Sequence, residues 1–291
     1  MRLSMEWCRE MKEQKLEEVC SKYITQLTES IEAQRKYKKN PPIIMLSGGV
    51  DSMILGAIAK TVYGEVISLT VAGKNTPDIQ VARKTAYHLG IENIIIQVSY
   101  NEIMKGLESA KGRNIKNVFS LLFYLMFQSA FKKYPVKHFD LLQGDGADSL
   151  LGSTSSFIYM KCAEIAEKEN ITKDEARTIC KQKFFQDSMR LKRGTADLFK
   201  SIANEESANA VQPFRDPKVF WVNDLPYSLS RPDKKLLHRE VIKKLGYNPK
   251  NVKRVTMQQG TGFYEVMKQN LINQTNCKNA NQAVQLILNG V

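Results

Sequence analysis

The sequence predicts an α/β fold: an open parallel sheet with helices on both faces, followed by a mostly helical C-terminal region. Three observations carry this. Strand and helix signals alternate between residues 41 and 153. The strand signals are continuous apolar runs, as in a sheet buried on both faces, rather than the alternation of a half-exposed sheet. After residue 153 the strand signals stop and helical periods take over. These features divide the chain into an N-terminal helical segment (1–40), an α/β core (41–153) and a helical part (154–291).

Residues 1–38 read as one or two helices, because Met5, Cys8, Met11, Leu16, Val19, Tyr23 and Leu27 recur along roughly one helical face. "NPP" at 40–42 closes that register, since proline cannot continue a helix. "IIML" is the first strand, residues 52–62 a helix stopped by Gly64, and "EVISLTVAG" the second strand. The next helix starts with Thr76 as N-cap and Pro77 at its first position, and Gly90 ends it. "NIIIQVS" is the third strand, 115–134 a long helix ending before Pro135, and "HFDLLQG" the fourth strand. Beyond 153, "FIYMKCAEIAEKEN", "KDEARTICKQKFFQ" and "KKLLHREVIKKLG" all have helical periods. The tail after 268 has weak periodicity until "AVQLIL".

The chain has 291 residues, 43% of them hydrophobic, enough for a sizeable core. Its five cysteines form no C-x-x-C pair and no Cys/His cluster with zinc spacing, which points to a reducing compartment rather than a disulfide framework. Charges throughout the first forty residues argue against a secretory signal. The longest apolar run, "VFSLLFYLMF", is too short for a bilayer, which needs about 20 residues. A cytoplasmic protein without membrane association is expected. The net charge of +13 is spread through the chain with acids between, which favours a solvated surface and leaves nucleic acid as the lesser alternative.

The chemistry concentrates in "LSGGVDS" between the first strand and its helix. Ligands of open parallel sheets bind at the carboxyl ends of the strands, where a helix start presents free backbone N–H groups to anions. Ser47, Gly48, Gly49 and Ser52 then form a phosphate cradle, the glycines allowing close backbone approach. Asp51 in its middle would repel phosphate unless a divalent cation lies between them, so it reads as a magnesium ligand. The lysine of an ordinary P-loop is absent.

These six residues match S-G-G-x-D-S, the pyrophosphate loop of the N-type ATP pyrophosphatases (PP-loop superfamily), whose fold is adenine nucleotide alpha hydrolase-like. Within it, "LLQGDGADSLLGS" resembles the G-E-G-A-D-E-L-F-G-G segment of asparagine synthetases. "VQPFRDPKVFWVNDLP" resembles their R-V-P-F-L-D segment, and "DKKLLHREVIKKLG" their T-K-Y-L-L-R-E-A. The resemblance covers about residues 15–265. It implies a ligase that uses ATP and magnesium, adenylates a carboxylate, releases pyrophosphate, and lets ammonia or an amine displace AMP.

Residue by residue, the resemblance implies pyrophosphate on Ser47, Gly48, Gly49, Ser52 and Gly144, and adenine against the strand backbone near Leu46 and Leu69. Asp51 and Asp148 would hold magnesium. Asp145 stands where the family carries a glutamate implicated as base on the attacking amine. Lys235 and Arg239, spaced i, i+4, take the family's Lys and Arg places and would form a cationic clamp on one helix face. Departures are clear as well. Ser149 replaces a family glutamate, Asn209 and Val211 replace charged residues, and Thr256 stands at a lysine place that Lys253 could fill. No glutaminase segment precedes the loop in this sequence, so nitrogen is expected as free ammonia, as an amine, or from a separate amidotransferase partner. The rival readings are a PP-loop enzyme that modifies a nucleobase or tRNA, and a non-catalytic nucleotide-binding relative.

Overall fold

A computed structural model describes residues 2–74, 76–113, 115, 117–152, 162–191, 193–230, 235–248 and 262–289. Five parallel strands form one sheet in the order β3-β2-β1-β4-β5. They are β1 (Ile43–Met45), β2 (Ile67–Ala72), β3 (Glu92–Gln97), β4 (Asp140–Leu142) and β5 (Asn209–Val211). The expected α/β class, open parallel sheet and helical C-terminal region are present.

The N-terminal segment is one helix, α1 (Arg2–Gln34). Val19, Tyr23, Leu27 and Ile31 are buried at a four-residue spacing, as one packed face requires. The helix ends six residues before the "NPP" stop, because buried Asp140 accepts the backbone N–H groups of Lys36 and Tyr37 at 3.0 and 3.2 Å. These bonds pull the chain out of the helix toward the foot of β4.

Helix α2 (Val50–Tyr63) leads from β1 to β2, and α3 (Pro77–Leu89) from β2 to β3. Gly64 and Gly90 end them as expected, both at positive φ. Thr76 occupies the N-cap position of α3, yet its hydroxyl donates to Gly73 O at 3.1 Å instead of capping the helix. Short helices α4 (Tyr100–Lys105) and α5 (Leu107–Ala110) precede α6 (Val118–Lys133). The expected helix over 115–134 begins at Val118, since Asn117 accepts the Ser120 N–H at 2.8 Å and fixes the N-cap.

The two faces of the sheet carry separate apolar layers. On one, α6 packs through Leu121, Leu122 and Leu125 with Phe199, Met267 and Leu271. On the other lie α1, α2 and α12 (Leu236–Lys244), through Tyr23, Leu27, Ile54, Leu237 and Val241. Burial of both faces explains why β1, β2 and β4 read as continuous apolar runs.

One sequence expectation fails here. Strand signals were expected to stop after 153, but β5 pairs with β4 in parallel, Leu141 opposite Ala210. Three residues, "NAV", are too few to show a period, and the strand exists because the exposed edge of β4 needs a partner. α7 (Ala147–Leu151) closes the α/β part just before 153, and beyond it lie α8 (Cys162–Lys168), α9 (Lys173–Leu191), α10 (Arg193–Glu205) and α11 (Tyr227–Ser230). The Asn/Gln-rich tail is ordered into α13 (Tyr264–Thr275) and α14 (Ala280–Asn289), anchored by Met267, Leu271, Ala283 and Val284. No helix among the described residues is long and apolar enough to cross a membrane.

Candidate active site

The strand order places the site. β2 and β3 extend the sheet to one side of β1, and β4 lies on the other. The connections therefore reverse direction between β1 and β4, and the crevice at such a switch point is where open α/β sheets bind ligands. The turns after β1 and β4 emerge together there. A Cβ built on Gly144 would lie 3.7 Å from Ser52 N and 3.8 Å from Asp51 Cβ, so the two turns are in van der Waals contact.

The first turn is tightly built. Gly48 has φ +75°, and a Cβ there would lie 2.6 Å from Val81 Cγ1 and 2.9 Å from Ala82 N. Only glycine satisfies both the angle and the close approach of α3. Ser52 Oγ donates to Gly49 O at 3.0 Å and lies 3.3 Å from Ser47 Oγ. The first intrahelical bond runs from Met53 N to Gly49 O at 3.0 Å, so the N–H groups before Met53 head the helix without intrahelical partners.

A cavity of about 220 Å³ opens at this rim, far more than the roughly 10–15 Å³ that one water needs. Leu46, Ser47, Asp51, Ser52, Leu69, Gly144 and Asp145 all line it, so most of the sequence-predicted site residues converge. Leu46 contributes side chain more than backbone: its N–H is taken by Leu69 O at 2.9 Å and its carbonyl accepts from Thr70 Oγ1 at 2.8 Å. Phe119, Phe123 and Phe127 of α6 form an aromatic wall, with Met126 beside them.

Lys235 and Arg239 do not share a helix face as expected. Lys235 is the N-cap of α12, at left-handed φ 49°, and the helix starts after it. Its ammonium reaches Asp51 Oδ2 at 2.5 Å and Asp148 Oδ1 at 2.8 Å. Arg239 lies in the helix proper, half-buried, and neither residue is among the described cavity lining. The other expected cation, Lys253, and the neighbouring Arg254 and Thr256 lie outside the described residues.

Asp51 is the hub. His238, fully buried, places Nδ1 2.6 Å from Asp51 Oδ1, and its Nε2 lies 3.2 Å from Tyr23 OH. With Nδ1–H donating to the carboxylate, Nε2 of a neutral ring accepts from the tyrosine. Tyr23 also stacks on the imidazole, centroids 5.7 Å apart. Burial alone would raise the pKa of Asp51, but Lys235 and His238 outweigh it and hold the carboxyl well below its usual range. Burial likewise works against the Lys235 ammonium, and Asp51 and Asp148 reverse that and raise its pKa. Burial, then Asp51, drives the Tyr23 phenol well above its usual value.

Asp145 is held too. Arg215 donates from Nε to Asp145 Oδ2 at 3.0 Å, and a second guanidinium nitrogen bonds the same oxygen. Among the described residues Oδ1 takes no bond. Gly146, with φ +99°, lets Arg215 lie close: a Cβ there would sit 2.9 Å from Arg215 Cγ.

Asp51 and Asp148 thus aim two carboxylate oxygens at one cation. That donor set suits magnesium, which is commonly held by one or two carboxylates with water and phosphate completing its shell. Among the described residues no group of three or more His, Cys, Asp or Glu could hold a metal.

The asparagine synthase family model matches residues 23–266. The chain belongs to the asparagine synthase family. The resemblance read over about 15–265 is borne out by this match. A probable asparagine synthetase (glutamine-hydrolyzing) of Acanthamoeba polyphaga mimivirus is 28% identical over 147 residues, 47% of this chain and 25% of that protein. The asparagine synthetase (glutamine-hydrolyzing) of Gallus gallus is 28% identical over 166 residues, 52% of this chain and 28% of that protein. The chain spans about a quarter of the length of these curated relatives. Among solved structures, NMN synthetase from Francisella tularensis aligns with TM-score 0.44 and 13% identity, over 94% of this chain and 92% of that one.

Sequence reasoning missed Tyr23, Asp78, Gln143, Arg215 and His238. A signal existed for His238: it is one of three histidines in the chain and shares the buried face of α12 with Leu237, Val241 and Ile242. Arg215 gave none, because its partner is 70 residues away.

Proposed function

We propose that the chain catalyses ATP-dependent amide synthesis with AMP and pyrophosphate as products. A substrate carboxylate attacks the α-phosphate of ATP, and ammonia or an amine then displaces AMP. The observation that carries this reading is the contact between the Ser47–Ser52 turn and the Gly144–Asp148 turn at the β1/β4 switch point, in a chain of the asparagine synthase family.

In this reading Ser47, Gly48, Gly49, Ser52 and Gly144 hold the pyrophosphate through backbone N–H groups and hydroxyls. The side chains of Leu46 and Leu69 flank the base, against the aromatic wall. Asp51 and Asp148 hold magnesium, which would neutralise charge on the phosphates when bound. Lys235 supplies positive charge beside them, and Arg239 is proposed as the second cation of the site. His238 and Tyr23 orient the Asp51 carboxylate from behind. Asp145, fixed through Oδ2 by Arg215, keeps Oδ1 for a proton from the attacking nitrogen. Positioning of the two reactants and neutralisation of developing charge supply the rate.

The nitrogen source is proposed to be free ammonia, an amine, or ammonia handed over by an amidotransferase partner. The test is nucleotide analysis after incubation with ATP, magnesium, ammonium and a panel of carboxylates. AMP and pyrophosphate are expected; ADP and phosphate would place the chain in another reaction class.

A further inference from the structure

We propose that Asp78, with Gln143 as its counterpart beyond β1, reads hydrogen-bond donors on the nucleoside of the bound nucleotide. The inference rests on the nucleotide reading above. Asp78 follows β2 and Gln143 follows β4, so they stand on opposite sides of β1 and its turn.

Both side chains line the cavity, and both are more than nine-tenths buried, at 5% and 7% exposure. Neither side chain is satisfied by the protein. Among the described residues no charge or hydrogen bond acts on the Asp78 carboxyl, burial being the one influence on it, and Gln143 Oε1 is a buried oxygen without a partner. Buried polar groups in native structures are almost always paired, so two unpaired acceptors in one cavity ask for a shared explanation. A position in the first turn of α3 accounts for an acid at Asp78. It does not account for burying that acid unpaired, and burial pushes its pKa up to about 6.

The ligand chemistry follows from what each group repels and accepts. Phosphate offers no donor at neutral pH, and a carboxylate repels it. Asp78 therefore belongs with the nucleoside, while the phosphates lie toward Gly48. The surrounding wall of Leu69, Val71, Phe123 and Phe127 suits a flat apolar ring. The donors of a purine nucleoside are the ribose hydroxyls and the exocyclic amine. A site built to accept such a bond rejects an analogue that lacks the donor, because its own acceptor is then left unpaired.

The experiment is equilibrium binding by calorimetry, with magnesium and no carboxylate substrate, for the wild type, Asp78→Asn and Asp78→Ala. The ligands are ATP, 2′-deoxy-ATP, 3′-deoxy-ATP and inosine triphosphate, which lacks the amine. Thermal melting without nucleotide accompanies each variant. Asp78→Ala should weaken ATP binding about tenfold or more. One analogue should bind the wild type about tenfold more weakly than ATP yet lose nothing further with Asp78→Ala, and its identity names the donor. Asp78→Asn should melt higher than the wild type at pH 7.5, since it removes an unpaired buried charge. A merely structural Asp78 would make that variant melt lower. The proposal is overturned if Asp78→Ala binds ATP within about twofold of the wild type, or if all analogues lose affinity equally in both proteins. A wild type that binds no ATP would instead bring down the nucleotide reading, and this inference with it.

Discussion

Lys235 Nζ lies 2.5 Å from Asp51 Oδ2, so the protein's own ammonium sits where two carboxylates converge. The pair couples α12 to the turn after β1, and it makes Lys235 and magnesium neighbours or competitors for the same oxygens. Removing the ammonium leaves two carboxylates facing each other, one of them largely buried. Lys235→Met should therefore cost about 2–4 kcal/mol of stability without divalent cation. Magnesium should restore part of it, because binding to the folded state alone stabilises by mass action. Melting with and without magnesium checks this; identical magnesium responses in wild type and variant would refute competition. ATP–pyrophosphate exchange should fall in the variant at any magnesium concentration.

Acid stability should report Asp51. Its folded pKa is lowered, well below the ordinary value of 3.8, so folding favours the ionised form. The contribution is complete above pH 3.8 and is lost as pH falls toward the folded value. Asp51→Asn should flatten the acid limb of the stability curve below about pH 4. Asp78 has the opposite sign. Its pKa is raised to about 6, so its ionisation on going from about pH 4 to 6 costs stability. Asp78→Asn should gain about 1–2 kcal/mol over the wild type across that window, a figure reduced for solvent screening. Urea titrations at pH 3, 5 and 7 separate the two residues.

The Asp145–Arg215 pair predicts a split in the two half-reactions. Asp145→Asn should reduce amide formation far more than ATP–pyrophosphate exchange, which reports adenylation alone. Equal losses in both assays would make Asp145 a structural residue. Arg215→Leu should destabilise the fold by about 3 kcal/mol, since it strands a largely buried carboxylate. The double variant Asp145→Leu, Arg215→Leu should recover most of that loss, as a double-mutant cycle in urea would reveal.

The buried bond between Tyr23 and His238 ties α1 to the site. Tyr23→Phe should lose about 1 kcal/mol. His238→Leu should lose more, because it unpairs both the tyrosine hydroxyl and one Asp51 oxygen. Denaturant midpoints measure the stability terms. If His238 orients Asp51, His238→Leu should also raise the magnesium concentration needed for half-maximal exchange, whereas Tyr23→Phe should leave it nearly unchanged.

Much of this protein is written locally. The Ser47–Ser52 turn, the glycine stops at 64 and 90, and the buried runs of β1, β2 and β4 depend on neighbours in the chain, so their chemistry is visible as motif, cap and period. The second turn, from Gly144 to Asp148, was legible for the same reason. What required the folded chain was everything set by strand order and by partners far away in sequence. β5 exists because β4 has an open edge, and three residues carry no period of their own. Lys235 looked like part of a basic helix face; a left-handed backbone angle and two carboxylates 184 and 87 positions earlier made it the centre of an ion pair. Arg215, His238 and Tyr23 entered the site through contacts spanning 70 to 215 residues. Asp78 and Gln143 became noticeable only through partners they lack. Local patterns record which residues can form a turn or a helix, but side-chain pairing in a low-dielectric interior depends on distances that only tertiary packing sets.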